Sequence, residues 1–266
     1  MNFSKKSLGQ NFLIDLNIIK KITNQVEIKN NNILEIGPGK GALTNQILKK
    51  KPKSLILIEK DNVLYDKLKF KYKIYKNIKI YNKDILKCNI EKILKKNTII
   101  FGNLPYNIST QILIKFIKFS FWPPKFEKLI FMFQKEVAER LLAESNNSKY
   151  GRLTVISKFR FKIENFFHIS KNSFYPVPKV DSTVLVFRPI NNKDYLINDK
   201  INIEEITHDL FSNRRKMINK TIRKNFDTHE KLFKELKINP NWRPAELNEN
   251  HYFKLAERLE KIKKLI

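Results

Sequence analysis

Cysteine, metal-ligand patterns and long apolar runs are all scarce in this chain, and each scarcity excludes a class of protein. The one cysteine among 266 residues, Cys88, allows neither an intramolecular disulfide nor a cysteine-rich metal site. The four histidines show no ligand spacing, so we expect no bound metal. No apolar stretch reaches membrane-spanning length, and residues 1–11 contain no apolar signal core. The sequence therefore predicts a soluble protein of the reducing cytoplasm.

Acidic residues are also in short supply. The chain has 53 lysines and arginines against 26 acids, a formal net charge of +27. Such an excess favours a polyanionic partner such as nucleic acid. Lysine, asparagine and isoleucine are abundant, however, and nucleotide bias in a genome produces that pattern without selection for binding. Charge alone therefore leaves the partner open, while the length accommodates one large and one small domain.

Short β-branched runs alternate with amphipathic stretches over the first two thirds of the chain. This alternation predicts an α/β fold with a mostly parallel sheet and helical crossovers. The predicted strands are 33–36, 55–58, 78–81, 99–101, 129–133, 164–169 and 180–187, and the predicted helices include 41–50, 63–72 and 111–119. A polar linker is predicted at 191–194, and from about residue 203 the pattern is helical throughout.

Three of the predicted strands end in residues suited to a nucleoside. Gly37, Gly39 and Gly41 follow the first strand, and their missing side chains let the backbone turn sharply and approach a ligand. Glu59 ends the second strand, where a carboxylate can accept both ribose hydroxyl protons. Asp84 follows the third and suits an adenine amino group. Solvated acids at strand ends are common, and NAD fits the first two features equally, but together the three indicate a bound nucleoside cofactor.

The tetrapeptide Asn103-Leu104-Pro105-Tyr106 follows the strand candidate at 98–102 and carries the chemistry. The exocyclic amine of a nucleobase can donate one hydrogen bond to Asn103 Oδ1 and another to the Pro105 carbonyl. These two hydrogen bonds free the lone pair of the amine nitrogen, which is otherwise a poor nucleophile. Tyr106 can stack on the base. A turn with a packed tyrosine is the plain alternative. Together with the glycine turn, the motif favours transfer of an electrophilic group onto a base, with proximity and orientation supplying most of the catalysis.

Several blocks of the sequence resemble one known family, the ribosomal RNA adenine dimethyltransferases, most closely the branch that acts on small-subunit rRNA. The matching blocks are LGQNFL at 8–13, EIGPG at 35–39, FGNLPYNIST at 101–110, QKEV at 134–137, YGRL at 150–153, PVPKVDS at 176–182 and RRK at 214–216. They span most of the chain, and the ten-residue block is far more specific than a four-residue motif.

The resemblance implies a Rossmann-like, S-adenosylmethionine-dependent methyltransferase domain over 1–190, with helices on both faces of its sheet. It also implies a small all-helical, rRNA-binding domain over 191–266. By the same resemblance, Phe174 joins Tyr106 in holding the target base. The residues that would line the methyl donor are Asn11, Leu13, Gly37, Gly39, Glu59, Asp84 and Asn103. The implied product is a pair of adjacent dimethyladenosines near the 3′ end of small-subunit rRNA, made during ribosome biogenesis by a monomer acting on a pre-ribosomal small-subunit particle.

The stretch 213–224 contains six basic residues and no acid. Helical spacing predicts that five of these cations lie on one phosphate-binding face, and that Met217, Ile218 and Ile222 point to the core. The five are Arg215, Lys216, Lys220, Arg223 and Lys224. The RNA-binding candidates are Arg152, Arg214, Arg215, Lys216, Lys220, Arg223 and Lys224. A solvated helix face is the alternative. A second, weaker candidate for phosphate binding is the stretch 67–79, where lysines interleave with Phe70, Tyr72 and Tyr75. Packing of a helix on a strand explains these aromatic residues well.

Two other functions compete with small-subunit rRNA dimethylation. One is the antibiotic-resistance branch of the same superfamily, which dimethylates large-subunit rRNA. The blocks at 150–153 and 214–216 favour the small-subunit branch. The other is a non-catalytic nucleic-acid-binding assembly factor built on this fold, against which the intact tetrapeptide and the donor-site acids argue.

Overall fold

The computed structural model describes residues 10–191 and 200–264. Leu8 and Gly9 of the first matching block, and 192–194 of the predicted linker, lie outside the described residues. The chain divides into two compact units, the first made of Met1–Ala138 and Lys162–Pro189 and the second of Glu139–Phe161 and Ile190–Ile266. One of the divisions along the chain falls where the sequence predicts a boundary, near residue 190.

The predicted division at 1–190 and 191–266 does not separate the segment Glu139–Phe161, which packs in the second unit. The reason is burial: Tyr150, Val155 and Phe159 belong to the apolar core that α-helices of the C-terminal region form. Segments distant in sequence share one core because burial of apolar area, not chain order, drives the packing. The second unit therefore begins about fifty residues earlier than expected. It consists of two chain segments, which are separated in sequence by the last strands of the sheet.

The first unit is built on a seven-stranded sheet and a two-stranded sheet. The strands are β1 (Phe12–Leu13), β2 (Asn32–Ile36), β3 (Ser54–Glu59), β4 (Ile78–Asn82), β5 (Thr98–Gly102), β6 (Phe126–Gln134), β7 (Phe161–Ile169), β8 (Phe174–Tyr175) and β9 (Ser182–Pro189). The larger sheet has the order β4-β3-β2-β5-β6-β9-β7, and β1 pairs with β8. Strands β2 to β6 are parallel and β9 runs antiparallel to β6, which confirms the predicted mostly parallel sheet.

The topology brings four loops to one edge of the sheet. Strand β2 lies between β3 and β5, so the strand order reverses there, and ligands of open α/β sheets bind beyond the carboxyl ends of strands at such a point. The register pairs Ile36 with Ile58 and with Gly102, and Glu59 with Asn82. The segments that follow β2, β3, β4 and β5 therefore begin side by side.

Helices flank the sheet: α1 (Leu16–Thr23), α2 (Ala42–Lys49), α3 (Asn62–Lys71) and α4 (Ser109–Ile117). The starts of α1 and α3 follow from capping by aspartate. Asp15 accepts hydrogen bonds from the amides of residues 17 and 18, and Asp61 from those of residues 63 and 64. Helix α1 and the β1–β8 pair were not predicted from the sequence. A strand of two residues gives too short a pattern to detect.

Apart from Phe161, which begins β7, the regular secondary structure of the second unit is helical in its described residues. Its helices are the end of α5 (Lys135–Leu142), α6 (Arg152–Arg160), α7 (Lys200–Phe211), α8 (Asn219–Asn225), α9 (His229–Leu236) and α10 (Glu249–Lys263), which confirms the predicted helical domain. Phe211 and Tyr252 stack with centroids 5.4 Å apart inside its core. Asn248 caps α10 through its side-chain oxygen. Within the described residues, no helix combines the length and the apolarity needed to cross a membrane.

Candidate active site

A cavity of about 750 Å³ opens in the first unit at the carboxyl edge of β2 to β5. It unites residues that the sequence analysis selected from five separate segments. The predicted residues that line it are Asn11, Leu13, Gly37, Gly39, Glu59, Asp84, Asn103, Leu104, Pro105 and Tyr106. Phe174 is the one predicted base- or donor-binding residue that is not among the lining residues.

The loop after β2 depends on its glycines in two ways. Gly37, Gly39 and Gly41 have φ values of 65°, 58° and 82°, a left-handed conformation that costs other residues energy. There is also no room for a side chain at two of these positions. A Cβ atom at Gly39 would lie 3.0 Å from the ring of Phe12, and one at Gly41 would overlap the Tyr72 hydroxyl. The loop therefore packs closely against Phe12 and Tyr72, and glycine is required at both positions for conformation and for space.

Glu59 is fixed beneath this loop. Its Oε2 accepts a hydrogen bond from the Gly39 amide at 3.1 Å and its Oε1 accepts one from the Asp61 amide at 2.9 Å. The side chain is buried, and burial raises its pKa while the two amide donors oppose that rise. Each carboxylate oxygen has a further acceptor site, so the group can still accept hydroxyl protons from a ligand.

Asp84 lies on another wall of the cavity. Its Oδ2 forms an ion pair with Lys60 Nζ at 2.9 Å, and its Oδ1 accepts from the Leu86 amide at 2.9 Å. The hydrogen bond from Lys60 holds the pKa of Asp84 below its usual value, so this carboxyl remains an acceptor at neutral pH. Lys60 was not among the predicted site residues, because an exposed lysine after a strand gives no signal of its own.

The amide of Asn103 is oriented by a contact across the unit. Its Nδ2 donates to the main-chain carbonyl of Asn11 at 3.2 Å. Because this bond uses the amide nitrogen, the other end of the amide, Oδ1, is left as the acceptor. Asn11 itself is carried by the segment that enters β1, which pairs with β8. The N-terminal segment therefore positions the acceptor oxygen of the tetrapeptide.

The main-chain carbonyls of the tetrapeptide are not equivalent. The Pro105 carbonyl, which the sequence analysis chose as the second acceptor, already accepts from the Ile108 amide at 3.1 Å in the turn that leads into α4. The Leu104 carbonyl accepts no hydrogen bond from the described residues, and Leu104 lines the cavity. Its side chain is buried against Gly102, where a Cβ atom would lie 2.5 Å from Leu104 Cδ2. The geometry therefore favours Leu104 over Pro105 as the main-chain acceptor.

Tyr106 has its ring orientation fixed from a distant strand. The Tyr106 hydroxyl and the Ser182 hydroxyl lie 2.6 Å apart, although the residues are 76 positions apart in sequence. Burial raises the pKa of Tyr106, so the hydroxyl stays protonated at neutral pH. Ser182 occurs in the PVPKVDS block, but no local pattern in the sequence indicates that it contacts the tyrosine.

Phe174 and Tyr175 divide their roles by strand geometry. Successive side chains of a strand point to opposite faces. In β8, Phe174 points inward, is 1% exposed and belongs to the core of the first unit, whereas Tyr175 is 48% exposed and lines the cavity. The aromatic side chain that reaches the cavity from this strand is therefore Tyr175.

Glu35 is a cavity residue that the sequence analysis did not select. It lies within β2, is 1% exposed, and accepts a hydrogen bond from Thr44 Oγ1 at 2.6 Å. Burial raises its pKa to about 7, and the nearby Glu59 adds to that rise. The signal was present in the sequence, since an acid inside an otherwise apolar strand is costly unless it has a role.

The basic residues of 213–224 do not form a single helical face, contrary to the sequence-based expectation. Arg214, Arg215 and Lys216 lie in the turn between α7 and α8, and only Lys220, Arg223 and Lys224 are on α8. Met217 is 52% exposed and does not point to the core, whereas Ile218 and Ile222 are buried as predicted. The turn occurs because α7 ends at Phe211 and the chain closes on itself through the bond from the Lys216 amide to the Asn213 carbonyl.

Arg214 differs from the other cations of this group. Its guanidinium donates to the carbonyl of Tyr150 at 3.0 Å and to the carbonyl of Ser148. It therefore ties the loop before α6 to the α7–α8 turn. The remaining candidates are exposed, namely Arg152, Arg215, Lys216, Lys220, Arg223 and Lys224.

The residues around the cavity fit a nucleoside. A left-handed glycine loop, a fixed carboxylate at Glu59 and a second acceptor at Asp84 are all present in the described structure. No group of three or more histidine, cysteine or acidic side chains suited to a metal ion occurs among the described residues.

Comparison with known proteins gives a consistent result. Residues 1–261 match the family model described as "Ribosomal RNA adenine dimethylase". The chain is 45% identical over 263 residues to the "Ribosomal RNA small subunit methyltransferase A" of Pelagibacter ubique (strain HTCC1062), covering 98% of each protein. It is 39% identical to the protein of the same name from Mycoplasmopsis synoviae (strain 53), covering 92% of this chain and 93% of the relative.

Solved structures agree with the fold. A dimethyladenosine transferase from Plasmodium falciparum superposes with a TM-score of 0.76 at 29% identity, covering 96% of this chain and 98% of that one. The 23S rRNA methyltransferase ErmE gives a TM-score of 0.70 at 24% identity, covering 94% and 100%, and so supports the fold alone.

Proposed function

The chain belongs to the ribosomal RNA adenine dimethylase family, and from this premise we propose that it transfers methyl groups from S-adenosylmethionine to the 6-amino groups of two adjacent adenines near the 3′ end of small-subunit rRNA. The names of its relatives from P. ubique and M. synoviae favour the small subunit over the large one. The observation that carries the chemistry is the oriented Asn103 amide, in one cavity with the glycine loop and Glu59.

The donor half of the cavity is assigned to residues of the first three loops. The backbone at Gly37 and Gly39 would lie against the donor, Glu59 would accept the ribose hydroxyl protons, and Asp84 would accept from the adenine amine, since all four residues line the cavity. Asn11, Leu13 and Asn103 complete this wall. When bound, S-adenosylmethionine supplies an electrophilic methyl group on a sulfonium. Glu35, buried and close to Glu59, adds negative charge in its ionised form, which favours a cationic donor.

The acceptor half holds the base by its amine. Asn103 Oδ1 accepts one amine hydrogen and the Leu104 carbonyl accepts the other, so the nitrogen lone pair is directed into the cavity. Pro105 contributes a fixed φ and no N–H group that would compete. Tyr106 stacks on the base, held by Ser182. Phe174 is buried, so its predicted contact with the base requires the β8 segment to move, whereas Tyr175 reaches the cavity without movement.

The RNA itself is held mainly by phosphate contacts of the second unit, which position the enzyme while the cavity selects the adenine. The proposed contacts are Arg152, Arg215, Lys216, Lys220, Arg223 and Lys224, with Arg214 fixing the turn from which two of them extend. A target adenine in a helix or stacked loop is extruded before it enters the cavity. We assign the reaction to a cytoplasmic monomer acting on a pre-ribosomal small-subunit particle.

One labelling experiment tests the proposal. S-adenosylmethionine with a labelled methyl group is offered with small subunits that lack the modification, with large-subunit rRNA and with unrelated RNA, and the labelled nucleoside is identified. We expect dimethyladenosine in small-subunit rRNA alone. Label confined to the large subunit would assign the chain to the antibiotic-resistance branch. Donor binding without label on any RNA would indicate a non-catalytic assembly factor.

A further inference from the structure

A second basic surface lies in the first unit, on α3, the turn after it and the start of the edge strand β4. We name it the α3–β4 surface and define it as residues 63–79. It contains six exposed lysines and a single acid, Asp66. The lysines are Lys67, Lys69, Lys71, Lys73, Lys76 and Lys79. Lysines alone are a weak argument in a chain so rich in them, and on an edge strand they also prevent aggregation.

Large apolar side chains are exposed among these lysines. Phe70 and Ile74 are each 74% exposed, Val63 is 49% and Tyr75 is 42%. From the sequence we expected the aromatic residues of 67–79 to pack between a helix and a strand. That explanation holds for Tyr72, which is 4% exposed, but it is wrong for Phe70 and Tyr75.

The geometry of α3 shows that the core does not need Phe70. Leu64 and Leu68 are buried, and Tyr72 continues their four-residue spacing on the core side. At 100° per residue, Phe70 lies on the side of the helix opposite to these three residues. Lys73 Nζ lies 4.8 Å from the centroid of the Phe70 ring. Because the cation lies over one face of this largely exposed ring, a base would stack on the other face and its phosphate would pair with the cation.

The α3–β4 surface is continuous with the cavity. Lys71 Nζ donates to the carbonyl of Lys40 at 3.4 Å, and the Tyr72 hydroxyl donates to the carbonyl of Gly41 at 3.3 Å. Lys40 lines the cavity. On the far side of β4, Lys83 also lines the cavity and lies over the ring of Tyr81. The α3–β4 surface therefore adjoins the donor end of the cavity at the glycine loop.

We propose that the α3–β4 surface binds a single-stranded segment of RNA, with an unpaired base stacked on Phe70 and the lysines on its phosphates. Charge complementarity selects a polyanion, and the exposed ring selects one with flat, unpaired bases. The inference rests on the proposed function in one respect, namely that the RNA bound here is the substrate.

The stacking contact is tested with the full chain and a fluorescent single-stranded RNA of mixed sequence, about 20 nucleotides long. Phe70→Leu should weaken binding about tenfold, because it keeps apolar area but removes the stacking face, and Phe70→Trp should bind as well as the wild type or better. Phe121→Leu is the matched control, since Phe121 is an 80% exposed phenylalanine elsewhere in the first unit. Its affinity should not change. Equal binding by Phe70→Leu and the wild type would overturn the proposal.

The lysines are tested by the salt dependence of the same binding. A Lys67→Glu/Lys73→Glu variant should flatten the plot of log affinity against log salt, by about 0.7 for each phosphate that the variant no longer neutralises. A Lys92→Glu/Lys96→Glu variant changes net charge equally at two exposed lysines away from this surface and should keep the slope. Equal slopes in the two variants would overturn the role of these lysines.

Vesicles of phosphatidylglycerol provide the competing outcome. If Phe70→Leu loses vesicle binding while its RNA affinity is unchanged, the surface binds lipid and the proposal is wrong. The two proposals also fail separately. RNA binding that depends on Phe70, without methyl transfer to any rRNA, would support the RNA-binding surface, refute the proposed function and show that the bound RNA is not a substrate. Methyl transfer to small-subunit rRNA with no effect of Phe70→Leu on affinity would do the reverse.

Discussion

In the first unit Asn103 donates a hydrogen bond to another segment of the fold, and Glu59 and Glu35 each accept one, whereas in the second unit Arg215 and Lys220 are exposed to solvent. The difference follows from what each region has to do. Activating an amine requires acceptor atoms at fixed positions. Attracting a polyanion requires charge near a surface, and a flexible side chain supplies that without a fixed geometry. Substitution of the acceptor Asn103 should therefore change the rate of transfer, and substitution of Arg215 or Lys220 should change the affinity for RNA.

The largest effect is expected from Asn103→Ala. Removing the oriented acceptor should lower kcat for methyl transfer by about 10²–10³-fold, a loss similar to that of one donor in an oxyanion hole. RNA affinity should stay within about twofold. Single-turnover transfer and RNA titration measure the two quantities, with Asn89→Ala, an exposed asparagine of the same unit, as the control. A loss of RNA affinity as large as the loss of rate would erase the distinction between the units.

Burial of Glu35 should appear in the pH dependence of stability. Its pKa is about 7 in the fold against an ordinary value of 4.5, so between these pH values the folded chain keeps a proton that the unfolded chain has lost. Stability is therefore highest below the lower value and falls as pH rises through the window, by at most about 3 kcal/mol.

Glu35→Gln should flatten this fall, and chemical denaturation from pH 5 to pH 8 measures it. Glu230→Gln, at an exposed acid of the second unit, should leave the pH profile as it is in the wild type. If both variants follow the wild-type profile, the buried carboxyl of β2 is not held protonated by the fold.

Glu59→Ala should weaken donor binding by about 10- to 100-fold, the effect of removing charged hydrogen bonds to a ligand. RNA affinity should be nearly unchanged, because the carboxylate is buried under the glycine loop. Calorimetric titration with S-adenosylmethionine gives the donor Kd, and Glu27→Ala, at an exposed acid, is the control. Unchanged donor affinity in Glu59→Ala would refute the ribose assignment.

Charge reversal at Arg215 and Lys220 should weaken RNA binding and flatten its salt dependence, by about one unit of slope for each phosphate that is no longer neutralised. The rate of transfer at saturating RNA should not change, because neither residue lines the cavity. Fluorescence anisotropy from low to high salt measures the slope. A slope equal to that of the wild type would mean that the turn and α8 do not contact phosphate.

The smallest expected effect distinguishes Arg214 from Arg215 within the second unit. Arg214→Ala should lower the free energy of unfolding by about 1 kcal/mol, because it leaves two carbonyls of the loop before α6 without their donor. Arg215→Ala should leave stability unchanged. Urea denaturation of the two variants measures the difference. Equal stabilities of the two variants would mean that the hydrogen bonds of Arg214 do not stabilise the fold.

Local sequence patterns predicted the parts of the cavity that one segment supplies alone. Alternation of apolar runs identified seven strands of the larger sheet, and the glycines at 37, 39 and 41 marked a turn that side chains would obstruct. The tetrapeptide at 103–106 marked its own chemistry. Such features can be predicted from the sequence because they depend only on residues within a few positions of one another. The same reasoning failed at 213–217, where lysine and arginine spacing suited a helix but the chain formed a turn.

By itself, then, the sequence determined the α/β class, the glycine loop, the acids at strand ends and the family. Only the tertiary structure decided that Asn11 orients Asn103 across 92 positions, that Ser182 holds Tyr106, and that Tyr175, not Phe174, reaches the cavity. It also decided that Glu139–Phe161 packs with the second unit and that Phe70 faces solvent. The physical reason is range. Turns, caps and periodicity are local, whereas the partner of a polar atom and the burial of a ring depend on which distant segments pack together.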